Sequence, residues 1–100
     1  MAGGDPALLR SAGPGGAAPG APWWVYILRC GDGTLYTGIA ADLERRIDQH
    51  RRGAAAKYTR SRLPVELVYR EEQPDRSRAL RREAAIRRAG RAEKLALIES

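Results

Sequence analysis

Apart from Met1, the first twenty-two residues carry only two sizeable apolar side chains, Leu8 and Leu9, among Gly, Ala and Pro, so any core must be built from Trp23 onward. A stretch this poor in apolar groups cannot offset the entropy of ordering, and residues 1–22 are expected to be a disordered tail. What remains, residues 23–98, is enough for one domain with a thin core and a site made of few residues.

Within that domain the strongest local signal is Trp23-Trp24-Val25-Tyr26-Ile27-Leu28, an aromatic and β-branched run that predicts a strand, with Leu35-Tyr36-Thr37-Gly38-Ile39 as its partner. Gly31-Asp32-Gly33 between them reads as a hairpin turn. A three-residue loop with Gly33 in the left-handed region pairs Cys30 with Thr34 and puts Tyr26 and Tyr36 on one face of the hairpin. Asp42 is a suitable N-cap for a helix through Leu43, Ile47 and His50, which Gly53 is placed to stop. Residues 54–62 read as a basic loop. After Pro64, Val65 to Tyr69 alternates like a strand, and Pro74-Asp75 opens a second helix through Leu80, Glu83 and Ile86, ended by Gly90. A last helix over residues 92–98 places Leu95 and Ile98 against the core. The predicted fold is α+β: a three-stranded, mainly antiparallel sheet whose apolar face is covered by helices while the other face stays available.

Lys and Arg outnumber Asp and Glu by 18 to 12, and sixteen of the cations are Arg. A positive chain suits a phosphate polyanion or an anionic membrane surface, and the planar Arg fork favours phosphate, although an Arg-, Ala- and Gly-rich composition also follows from a GC-rich genome. The longest apolar run, Trp23 to Leu28, is far short of the roughly 20 residues that span a bilayer. The single Cys30 excludes an internal disulfide and a multi-Cys zinc site. A soluble protein of a reducing cytoplasm, with no membrane partner, is the expectation.

Arg46 and His50 lie four apart on the first helix and share a face beside Leu43 and Ile47. Either both reach one ligand, or Arg46 is a solvated cation and His50 sits where a helix C-terminus favours it. Glu83, three residues after Leu80 and three before Ile86, is an acid on a stripe that should face the sheet. A carboxylate so placed needs a salt bridge or a bound cation. Magnesium commonly takes one or two carboxylates with water and substrate phosphate oxygens, so a single Glu suffices once nucleic acid completes the shell. Asp32, Asp42 and Asp48 are better explained as turn, cap and surface residues, which disfavours a two-metal centre.

Taken together these residues resemble the GIY-YIG endonuclease family, in particular its short stand-alone bacterial members. The half-motifs stand as Val25-Tyr26-Ile27 and Tyr36-Thr37-Gly38. Leu43-Glu44-Arg45-Arg46, ending four residues before His50, resembles the family's Arg- and His-bearing helix, and Lys57-Tyr58-Thr59-Arg60, Leu67-Val68-Tyr69 and Ala79-Leu80-Arg81-Arg82-Glu83 follow in order. The half-motifs lack the first Gly and the middle Ile of the family name, and Ile39 stands where some members have a Lys, leaving phosphate neutralisation to Arg46 and the metal. The resemblance implies a nuclease that hydrolyses DNA phosphodiester bonds with one Mg²⁺ or Mn²⁺ ion, in DNA repair or recombination. It places Tyr26, Tyr36, Arg46, His50 and Glu83 at the positions of functional residues.

In that scheme Glu83 holds the metal, Arg46 contacts the scissile phosphate, and Tyr36 is the preferred general base, aided by nearby cations or by a proton relay through His50. Tyr26 positions Tyr36 or water. Lys57, Tyr58 and Arg60 line the nucleic-acid path, with Tyr58 free to stack on an unpaired base. The substrate is DNA, whether branched, nicked or single-stranded, with a partner protein as a source of specificity. The alternatives are a non-catalytic basic nucleic-acid-binding module of the same fold, and an adaptor whose basic faces meet an acidic protein.

Overall fold

A computed structural model describes residues 20–100 of the chain. The expected tail over residues 1–22 lies outside them apart from its last three positions. Strand β1 (Trp23–Arg29) and strand β2 (Leu35–Ala40) form the predicted hairpin. Gly33 adopts φ +86°, and the Cys30 N–H donates to Thr34 O at 2.8 Å, so the loop holds three residues. The register pairs Leu28 with Tyr36 and Tyr26 with Gly38, which puts both tyrosines on one face.

Strand β3 (Glu66–Gln73) pairs antiparallel with the other side of β1, giving the order β2-β1-β3. It runs four residues beyond the predicted Tyr69 because Glu71, Glu72 and Gln73 find ladder partners in Val25, Trp24 and Trp23. Pairing overrides the low strand preference of those polar side chains. Ile27 pairs with Tyr69 but Leu28 with Leu67, so Val68 is the extra residue of a bulge. Val68 and Tyr69 consequently pack on the same side.

Helix α1 (Leu43–Arg51) is capped by Asp42, whose carboxylate accepts from Arg45 N at 3.1 Å. It buries Leu43 and Ile47 against Tyr26, Leu28, Cys30 and Ala40. Helix α3 (Arg76–Ala89), capped by Asp75, and helix α4 (Arg91–Glu99) cover the opposite face with Ala79, Ile86, Leu95, Leu97 and Ile98 against Val25, Ile27 and Leu35. Both faces of the sheet are therefore covered, correcting the expectation of a free face. Val25, Ile27 and Leu28 are wholly inaccessible, and an uninterrupted apolar run is what a strand buried on both sides needs.

Two further expectations are corrected. The predicted loop at 54–62 contains a helical turn, α2 (Lys57–Arg60), around the buried Thr59. Leu80 is 38% exposed, because the inward stripe of α3 runs through Ala79, Glu83 and Ile86, at i, i+4 and i+7. Glu83 keeps its inward place by that spacing. The outer edge of β2 is blunted by cations: Arg91, Lys94 and Arg87 donate to the carbonyls of Gly33, Leu35 and Thr37 at 3.2, 3.4 and 3.0 Å.

Candidate active site

The centre of the site is made by the hairpin. Tyr26 projects from the middle strand across Gly38, its partner on β2, and a Cβ at Gly38 would lie 2.5 Å from the Tyr26 hydroxyl and 2.6 Å from Cζ. Only a glycine leaves room for the ring at that position. The phenol, 2% exposed, ends 2.8 Å from Nε2 of His50, which comes from the last turn of α1 and is 1% exposed.

The other nitrogen of His50 is held by α2. Thr59 Oγ1 lies 2.8 Å from Nδ1 and donates its own proton to Ala56 O at 3.2 Å. A hydroxyl has one proton, so towards His50 it accepts, Nδ1 carries hydrogen, and Nε2 is the bare nitrogen that accepts from Tyr26. Burial, reinforced by the Arg46 charge, lowers the His50 pKa from 6.5 to about 4, so the ring is neutral at pH 7. Burial raises the Tyr26 pKa above the ordinary phenol range. Tyr36 and Glu83 add to that shift, while Arg46 and Arg87 oppose it.

Tyr36, half-buried, meets the same imidazole by its edge, with ring centroids 5.3 Å apart at 61°, and has no hydrogen bond to it. Its other side stacks on Tyr58 at 5.7 Å and 28°. Arg62 also covers Tyr58, its guanidinium carbon 3.9 Å from the ring centre. Tyr58 is thus brought to the site with its ring in contact with both Tyr36 and Arg62. Lys57 and Arg60 remain exposed on the same turn. Arg46, half-buried on α1, also lines a cleft of about 150 Å³ with Trp23, Ile39, Arg45 and Gln49.

Glu83 arrives from the opposite face of the sheet, on α3, close enough for its charge to act on the Tyr26 phenol. Its side chain is 17% exposed and pairs with Arg87 one turn on, at 3.1 Å. Arg87 in turn bonds the Thr37 carbonyl on the outer edge of β2. Arg87 therefore grips the edge strand one residue from Gly38, the position that Tyr26 crosses. Among the described residues no group of three or more His, Cys, Asp and Glu side chains gathers to hold a metal. Glu83 is the carboxylate whose charge reaches the Tyr26 phenol, and one carboxylate suits a hard divalent cation that shares its shell with water and phosphate.

Sequence reasoning overlooked three contributors. Thr59 had no signal beyond its place between Tyr58 and Arg60. The spacing of Arg87, four residues after Glu83, could have disclosed the ion pair. Arg62 likewise stands four residues after Tyr58, a spacing that could have suggested their contact.

The family model described as the GIY-YIG catalytic domain matches residues 22–96. A UPF0213 protein of Streptococcus sanguinis is 47% identical over 76 residues, covering 76% of this chain and 87% of the relative. One from Desulfotalea psychrophila is 52% identical over 79 residues, 78% of this chain and 72% of that one. The solution NMR structure of a UPF0213 protein from Bacillus halodurans is 41% identical and superposes with a TM-score of 0.51, covering 78% of this chain and 83% of the other.

Proposed function

The chain belongs to the GIY-YIG catalytic-domain family, whose members are generally endonucleases, and from that premise we propose that it is a metal-dependent endonuclease hydrolysing DNA phosphodiester bonds. The observation that carries this reading is the bond from Tyr26 Oη to a neutral His50 Nε2, set beside Tyr36, Arg46 and Glu83.

Hydrolysis needs a proton taken from the attacking water and charge stabilisation at phosphorus. Tyr26 is the better placed of the two phenols for the first task, because its own proton has somewhere to go. As the water proton moves to the Tyr26 oxygen, the phenolic proton passes to Nε2 of His50. The resulting imidazolium is unfavourable beside Arg46 in the free protein. A phosphodiester anion bound by Arg46 offsets that charge, so the relay is enabled by substrate. Tyr36 faces the same ring and orients the water.

Glu83 would hold the divalent ion, which supplies Lewis-acid stabilisation to a phosphate oxygen and the departing alkoxide. Arg87 holds the Glu83 carboxylate in its place beneath the edge strand. Lys57 and Arg60, exposed on α2, and the Arg-rich surface attract the polyanion. Repair or recombination, where nicked, branched and single-stranded DNA arise, is the setting this chemistry fits, with a partner protein adding selectivity.

A supercoiled-plasmid nicking assay with Mg²⁺ or Mn²⁺ tests the reading. Nicking that disappears in Glu83→Ala sustains it. DNA binding with no cleavage under either ion replaces it with a non-catalytic binding module.

A further inference from the structure

Tyr36 is held from outside by a chain of contacts that starts at the hairpin turn. Asp32 Oδ1 accepts from Thr34 N at 3.1 Å and from Thr34 Oγ1 at 2.6 Å, which fixes the carboxylate on its own turn. Its second oxygen, Oδ2, takes Arg62 Nε at 3.0 Å. Nη1 of the same guanidinium donates to Tyr58 O at 2.9 Å while its plane covers the Tyr58 ring. Tyr58 then stacks on Tyr36. The two loops are in close backbone contact at this point: Gly31 N donates to Arg62 O at 2.7 Å, and a Cβ on Gly31 would lie 2.7 Å from Leu63 O.

We propose that Asp32 and Arg62 are positioning residues, which together press Tyr58 onto Tyr36 and so fix the Tyr36 phenol for the reaction. The proposal rests on the nuclease reading above. A partly exposed Arg–Asp pair contributes little by itself. Here one guanidinium joins a carboxylate, a carbonyl and an aromatic face, and each contact restricts the others. The stack continues inward, since Tyr36 meets the imidazole of His50, and Thr59, next to Tyr58 on α2, bonds that imidazole. The α2 turn thereby delivers two neighbouring residues to Tyr36 and His50, and the Asp32–Arg62 bridge sets its pose.

A nucleobase platform is the other role open to an exposed tyrosine beside a nuclease site. The geometry disfavours it, because the Tyr58 ring already carries Tyr36 and the Arg62 guanidinium. The two roles give opposite signs. If Arg62 positions, Arg62→Ala and Asp32→Asn each lower kcat about tenfold with KM unchanged, as expected when the group that orients the attacking water is slightly misplaced. The double variant is then no slower than the slower single one, and Arg62→Lys recovers part of the loss. If Tyr58 is a platform, Arg62→Ala bares the ring and tightens DNA binding, which overturns the proposal.

The closing experiment pairs these kinetics with NMR of the full-length protein carrying ring-labelled tyrosine, at matched thermal stability. The Tyr36 ring protons, shielded by Tyr58 in the native protein, are expected to move towards their unstacked positions in both single variants. Unchanged Tyr36 resonances, or a rise in KM at constant kcat, would overturn the proposal. A native protein that cuts no DNA sinks the nuclease reading instead, and the resonances alone then decide whether Asp32 and Arg62 hold Tyr36.

Discussion

Tyr26 and His50, twenty-four positions apart in sequence, share one hydrogen bond of 2.8 Å in which the phenol donates and the buried neutral imidazole accepts. Removing the hydroxyl with Tyr26→Phe leaves Nε2 buried without its donor. A stability loss of about 1–3 kcal/mol is expected by chemical denaturation. In the nicking assay kcat should fall about a hundredfold or more with little change in KM, the signature of a group that acts in the transition state. A variant retaining more than half of the native kcat would remove Tyr26 from the relay.

Thr59 sets the tautomer from the other side of the ring. Thr59→Val preserves the shape but takes away the acceptor for Nδ1–H, so the proton is expected to redistribute between the two nitrogens. The ¹⁵N shifts of His50 report this directly. Activity should drop about tenfold, the lower end of what losing a supporting contact costs a metal-bound imidazole, and Thr59→Ser should restore it. A single unchanged tautomer in Thr59→Val would show that Tyr26 alone decides it.

The depressed His50 pKa also links folding to pH. The unfolded chain binds a proton on His50 below about 6.5, whereas the folded protein resists binding it until about 4. Over that window the unfolded state holds more protons, so stability rises with pH and is lost as pH falls from about 6.5 to about 4, by at most roughly 1.4 kcal/mol per unit. Denaturation midpoints measured across this range should follow that slope, and His50→Gln should flatten it. An equal slope in the variant would assign the effect to carboxylates.

Gly38→Ala tests the crossing of the edge strand. Its Cβ would fall 2.5 Å from the Tyr26 hydroxyl and 2.6 Å from Cζ, so the ring must shift and the bond to His50 must lengthen. We expect a loss of about 1–3 kcal/mol in stability, typical of overpacking, together with most of the activity. Because Cζ clashes as well as the hydroxyl, adding Tyr26→Phe should not rescue the fold. A fully stable Gly38→Ala protein would contradict the described geometry.

Glu83→Gln separates metal chemistry from folding. The carboxylate's ion pair with Arg87 is an i,i+4 contact whose Arg side is 54% exposed. Its loss should cost no more than about 0.5 kcal/mol. Cleavage is expected to vanish while DNA affinity and its salt dependence persist, and Mn²⁺ titration should lose its binding signal. Retained cleavage would refute the proposed role of Glu83 in holding a metal.

Much of this arrangement was legible along the chain because it follows from local rules. A three-residue loop with a glycine in the left-handed region sets the hairpin register, and the register puts Tyr26 and Tyr36 on one face. Aspartates at 42 and 75 cap the helices they precede. Period places Glu83 on the inward side of α3, even though Ala79 rather than Leu80 marks that side. The extent of β3 escaped such rules, since Glu71 and Glu72 are in a strand only because Val25 and Trp24 lie opposite them.

The order of elements, the shared face of the phenols and the inward acid were thus determined by the chain itself, through spacings of a few residues. That Tyr26 bonds His50 and that Thr59 chooses the tautomer were decided only by the tertiary structure. These contacts join segments whose separation is bridged by packing α1 and α2 against one face of the sheet while α3 closes on the other. The direction of a side chain between two packed layers depends on what the opposing layer leaves room for, and no local pattern carries that information.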